Sequence, residues 1–217
     1  MRRLSRATGP ETCARAGNII VISAPSGTGK STVVRRVVAS VADLSFAISH
    51  TTRSPRSGEQ NGREYFFISA PRFKRMVAAG DFVEWANVYG HLYGTTSREL
   101  RRALKGGKDV VLDIDVQGHF QVRRRLPEAL SIFLLPPSFP ELARRLRRRH
   151  SDSAEVIESR LAVARKEISH WFEYDYLVVN DRILSAVQAV RTVVLAARFR
   201  RQNQQELVEY IRRTFGG

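Results

Sequence analysis

Hydrophobic positions fall into two patterns along this chain. Short apolar runs stand at Ile19–Ile22, at Val110–Asp115, where the run ends in carboxylates, and at Ile132–Leu135 and Tyr176–Val179, the pattern of strands buried on both faces. Between them the apolar positions follow a helical period, as at Val33, Val34, Val37, Val38 and Val41 within Thr32–Val41. Capping signals bound further helices. Ser69, Pro71 and Gly80 frame one that runs through Ala79, Thr96 and Glu99 open another that stops at Gly106, and Ser138 and Glu141 open one reaching His150. Helices are also predicted over 117–125, closed by Pro127, over 154–169, and over 184–213 with an interruption near Gln202. Strand and helix alternate, which predicts an α/β fold with a parallel sheet flanked by helices. Residues 46–95 break this rhythm. Phe46–Ser49, Glu64–Ser69 and Phe82–Val88 read as strands set among polar, turn-rich residues, so an inserted strand-rich subdomain is expected there.

Composition adds constraints. A chain of 217 residues with 43% hydrophobic content can bury a real core, and no apolar run reaches the length of a membrane span. Cys13 is the only cysteine, which excludes an intrachain disulfide and fits a reducing compartment. A net charge of +15 favours polyanionic partners, nucleotides and nucleic acids alike. Residues 1–17 carry Arg2, Arg3, Arg6 and Arg15 against one acid, Glu11, with no apolar segment. They read as a disordered basic extension, with an organellar transit peptide as the alternative.

The chemistry begins where the first strand ends. Ala24-Pro25-Ser26-Gly27-Thr28-Gly29-Lys30-Ser31-Thr32 lies between an apolar strand and a helix, the context of a phosphate-binding loop. Gly27 and Gly29 allow the backbone N–H groups to turn inward, and the helix N-terminus adds positive charge. Lys30 can then reach the β- and γ-phosphates while the Ser31 hydroxyl ligates Mg²⁺. Ala24 stands where the usual motif has its first glycine, a position alanine tolerates at negative φ.

Three other stretches carry charge in useful places. Ser49–Tyr65 packs arginines, glutamates and a tyrosine into a polar loop suited to an anion. Asp113 and Asp115 follow a core strand, where α/β folds bind ligands and where an acid can orient Mg²⁺ through a water molecule. Arginines at 144, 145, 147, 148, 149 and 160 lie on two helices joined by a short break, the layout of a lid over phosphates. No Cys/His cluster points to zinc.

In this order the motifs resemble the guanylate kinase family from Asn18 to the final helix. The carriers are residues 24–32, S-H-T-T-R-S-P-R-S-G-E-Q-N-G-R-E-Y at 49–65, F-V-E-W-A at 82–86, L-Y-G-T at 92–95 and L-D-I-D-V-Q-G at 112–118. The resemblance implies a phosphate-loop kinase core at 18–45, 96–137 and 170–217, a GMP-binding region at 46–95 and a helical lid at about 138–169. It implies phosphoryl transfer from ATP to GMP, with dGMP as a further acceptor and Mg²⁺ as cofactor, in the cytoplasm. It assigns ATP to residues 24–32 and Asn180, and the GMP phosphate to Arg53, Arg56, Tyr65 and Tyr93, with Glu59 and Asp113 in the same region. Guanine falls to Ser49, Glu84, Thr95 and Asp115. Lys30, Arg145, Arg149 and Arg160 would neutralise the transferring group. His50 and Thr95 stand where the family more often has serine. Three alternatives stay open: a phosphorylated sugar as acceptor, a non-catalytic protein-binding module, and nucleic-acid binding, which rests on charge alone. The sequence says nothing of oligomeric state.

Overall fold

A computed structural model describes residues 16–88, 90–148 and 153–215. The expectation for residues 1–15 therefore lies outside the described residues. The core is a five-stranded parallel sheet of β1 (Ile19–Ser23), β2 (Leu44–Phe46), β7 (Asp109–Asp113), β8 (Leu130–Leu135) and β9 (Tyr176–Val179), in the order β2-β7-β1-β8-β9. The unbroken apolar runs have a direct cause. Ile20 and Ile22 pack on one face with helices α1 (Lys30–Ser40) and α7 (Ile183–Ala197) through Val33, Val37, Val190 and Val194. Val21 points the other way with Val110 and Leu112, against Leu100 of α3 (Ser97–Ala103) and Val122 of α4 (Val116–Arg125). Both faces are covered, so no polar alternation survives.

The second sheet draws its four strands from 50–96: β3 (His50–Thr51), β4 (Phe66–Phe67), β5 (Phe82–Val88) and β6 (His91–Thr96), ordered β4-β3-β6-β5. Two strand expectations need correction here. The predicted strand at 46–49 is the end of β2 plus an irregular crossing: Ala47 N–H still bonds the Val111 carbonyl (3.1 Å), and the chain then leaves the core sheet for β3. The predicted strand at 64–69 is regular only at Phe66–Phe67, because its partner β3 is itself two residues long. Helix α2 (Ala70–Ala78) covers this sheet with Phe73, stacked on Phe82 at 4.4 Å between ring centroids.

Two further helices, α5 (Phe139–Arg147) and α6 (Ala154–Ile168), pack together through Leu142, Leu146, Leu161 and Ala164. Ser138 accepts the Glu141 N–H (3.3 Å) as its cap, and the helix ends three residues before the predicted His150. The predicted C-terminal helix divides into α7 and α8 (Gln205–Thr214) around a single 3₁₀ turn at 201–203. Among the described residues no helix is long and apolar enough to cross a membrane.

Candidate active site

Strand β1 delivers the glycine-rich loop to the carboxyl edge of the sheet, and Gly29 caps α1 in the left-handed region at φ 94°. Gly27 adopts φ 90°, and a Cβ there would meet Leu146 at 2.8 Å, so both positions require glycine. Ala24 is buried and keeps a negative φ, as its place at the strand exit requires. Lys30, the first residue of α1, reaches back to the end of β7. Its Nζ donates to the Ile114 carbonyl at 2.6 Å and pairs with Asp113 Oδ1 at 2.8 Å.

The loop lines a cavity of about 470 Å³ whose far wall is Ser159, Val163 and Glu167 of α6. These three are spaced i, i+4, i+8, hence on one helix face. Sequence reasoning missed them because Ser, Val and Glu at that spacing look like any half-exposed helix. Burial pushes the Glu167 carboxyl up to about 7, with Asp115 adding to the rise and Lys30 and the Ser26 N–H opposing it.

The proposed lid and adenine residues sit differently from one another. Arg145 bonds Glu141 Oε1 (2.7 Å) and the backbone carbonyls of Asn180 (2.9 Å) and Thr28 (3.4 Å), so it grips the outer side of the loop. Glu141, shared between Arg144 and Arg145, is held down to about 2 by those guanidinium groups. Asn180 is fully buried and donates from Nδ2 to the same Thr28 carbonyl at 2.7 Å. Arg160 is half-buried on α6 next to Ser159. Arg149 lies outside the described residues.

A second cavity of about 210 Å³ opens on the other side of Lys30 and Ser31, lined by Ser49, Tyr65, Glu84, Tyr93, Asp113 and Asp115. Glu84 is 3% exposed on β5. Burial lifts its carboxyl to about 7; hydrogen bonding from Thr95 lowers it and the charge of Asp115 raises it. Ser49 and Thr95 share a hydrogen bond between their hydroxyls at 2.9 Å. Asp115, expected at a strand end, is instead the N-cap of α4 and accepts the Gly118 N–H at 2.8 Å.

Toward solvent, Tyr65 and Tyr93 meet edge to face at 5.9 Å, and the Arg53 guanidinium lies 5.6 Å from the Tyr65 ring. Glu59 turns inward to Arg53 (2.9 Å) and to the Arg56 N–H (2.7 Å), so it organises the arginine loop from behind. Arg56 borders a neighbouring opening with Glu59 and Tyr65. His50 points away from this cavity, with its ring 4.8 Å from Phe66 and 5.9 Å from Phe82. Burial and the Arg72 cation hold its imidazole below the usual range, against a weaker pull from Asp81.

Comparison with known proteins joins this geometry to a family. A profile of the family described as "Guanylate kinase" matches residues 16–197. The guanylate kinase of Dechloromonas aromatica is 48% identical over 84% of this chain and 90% of its own, and that of Koribacter versatilis is 51% identical over 88% and 83%. A crystal structure of guanylate kinase from Anaplasma phagocytophilum superposes with TM-score 0.72 at 32% identity, covering 87% of this chain and 90% of the other. A glycine-rich loop and a buried carboxylate pocket meeting at one lysine, on a chain matched over most of its length, establish that it belongs to the guanylate kinase family.

Proposed function

We propose that this chain transfers the γ-phosphoryl group of ATP to GMP, giving ADP and GDP. The observation that carries the reading is the shared wall: Lys30, Ser31, Val88 and Asp115 border both the phosphate-loop cavity and the carboxylate cavity. A donor held on the loop and an acceptor held beside Glu84 therefore meet at Lys30. A GMP phosphate oxygen attacks the γ-phosphorus in line, a new P–O bond forms, and the bond to the β–γ bridging oxygen breaks as ADP leaves. No enzyme nucleophile is needed, and positioning with charge neutralisation supplies the acceleration.

Guanine presents adjacent N1–H and N2–H₂ donors, which an ionised Glu84 accepts. Adenine offers a ring-nitrogen acceptor there, and a phosphorylated sugar would leave the buried carboxylate unmatched. Arg53, Arg56, Tyr65 and Tyr93 take the GMP phosphate, with Glu59 holding the arginines in place. Residues 24–32 take the ATP phosphates and Asn180 supports the loop beside the nucleoside. Lys30 neutralises the group in flight, and Arg145, Arg149 and Arg160 join it on closure of the lid, since Arg145 here is turned to Glu141 and the Thr28 and Asn180 carbonyls. This reading divides the chain into a core (18–45, 96–137, 170–217), an acceptor region (46–95) and a lid (about 138–169).

The donor set beside the loop suits Mg²⁺, since Ser31 offers a hydroxyl and Asp113 a carboxylate near the same opening. Ser31 would bind the ion directly and Asp113 through water; when bound, the ion draws charge from the phosphate oxygens. In this reading the chain acts in purine nucleotide metabolism in the cytoplasm, with dGMP as a second acceptor. The test is ADP release coupled to NADH oxidation with Mg·ATP and GMP. Lys30→Ala should lower kcat by about 10² or more with the fold intact, and equal rates in both proteins would refute the assignment.

A further inference from the structure

We infer that Gln121, backed by Arg125, is a positioning residue for base recognition: it clips the free edge of β5 to α4 and thereby sets Glu84 against Asp115. The inference rests on the proposed GMP reading and deepens it. Strand β5 is the last strand of its sheet, paired to β6 on one side only. Its outward N–H and C=O groups would ordinarily face water. Here α4 takes them. The Gln121 carboxamide accepts the Trp85 N–H at 3.1 Å and donates to the Trp85 carbonyl at 2.6 Å, the pair of hydrogen bonds that another strand residue would make. Arg125 Nη1 donates to the Val83 carbonyl at 2.7 Å and also to the Phe82 carbonyl. The backbone on both sides of Glu84 is therefore held by one helix.

Two features make this more than edge covering. The β5–β6 register shifts between Phe82 and Glu84, and such an irregularity re-aims a side chain while weakening the pairing that fixes it. The clip acts at that point. In addition, Asp115 is the N-cap of α4, and Gly118, Gln121 and Arg125 continue down the same face. Gly118 gives clearance, since a Cβ there would lie 2.9 Å from Glu84 Oε2. One rigid helix thus carries one base-facing carboxylate and holds the strand that carries the other.

The test uses the full chain with GMP and with IMP, whose base lacks the 2-amino group. Activity of the unaltered chain on GMP is measured first, which checks the underlying reading separately. Gln121→Ala should then raise KM for GMP about tenfold and shrink the GMP-over-IMP preference, while KM for ATP and Tm stay near their starting values. Gln121→Glu keeps the acceptor for the Trp85 N–H but loses the donor, and should fall between the two. If Gln121→Ala fails to fold, Gln121→Glu carries the test alone and must show the same selective loss. Unchanged GMP kinetics and preference, or equal losses toward ATP and GMP, would overturn the proposal.

Discussion

Glu84 bears two demands that conflict. Under the proposed function, reading guanine would require an ionised carboxylate, yet burial in the pocket raises its pKa to about 7. In the free protein the raised value means that the group favours folding below its ordinary value of 4.5 and that this contribution is lost as pH rises through about 7. Glu84→Gln should therefore stabilise the free protein at pH 8 by up to about 3 kcal/mol, measured by urea denaturation, while weakening GMP binding. Binding runs the other way with pH. At pH 6 only about a tenth of Glu84 is ionised, so GMP affinity should be about tenfold weaker than at pH 8. The Glu84→Gln variant should retain only the dependence due to titration of the GMP phosphate. Calorimetric titration of both proteins across this range checks it, and identical pH profiles would sink the idea.

At this scale Lys30, Glu84 and Asp115 are legible as candidates, because each sits in a short motif with few chemical interpretations. The motifs point Arg145 and Asn180 at substrate, but in the structure their atoms also brace the loop carbonyl of Thr28. That contact spans more than a hundred residues and leaves no local pattern. Glu167 was invisible for the same reason.

Among the elements, the phosphate loop is the most constrained. At Gly29 a Cβ would lie 2.8 Å from the Asn180 amide, on a backbone at φ 94°. Gly29→Ala should cost about 2 kcal/mol of stability and most of the ATP affinity, read by thermal melts and nucleotide titration. Helix and strand identities were legible wherever both faces are buried or a cap is present, as for α3, where Thr96 accepts the Glu99 N–H at 3.2 Å. The strands expected over 46–49 and 64–69 differ from those observed because strand propensity does not reveal where a chain changes sheets. Only the pairing partner decides that.

Across the whole molecule, the end of the sheet opposite the site is tied shut. Fully buried Asp109 pairs with Arg198 at 2.8 Å and accepts both the backbone N–H and the side-chain amide of Asn18 at 2.9 Å. Asn203 closes the same network by donating to Asn18 Oδ1 at 2.6 Å. Arg198→Ala removes the cation beside a buried carboxylate and should cost about 3 kcal/mol, seen as a lower Tm with KM values unchanged. The core is thus cross-linked at one end, and the two cavities proposed for the nucleotides adjoin at Lys30 at the other. In the proposed reaction this junction passes a phosphoryl group to GMP and not to AMP. Steady-state ADP release with Mg·ATP and either GMP or AMP tests it most directly. The expected kcat/KM for GMP exceeds that for AMP by about 10⁴. Equal turnover of the two, or no GMP-dependent ADP release from folded protein, would contradict it.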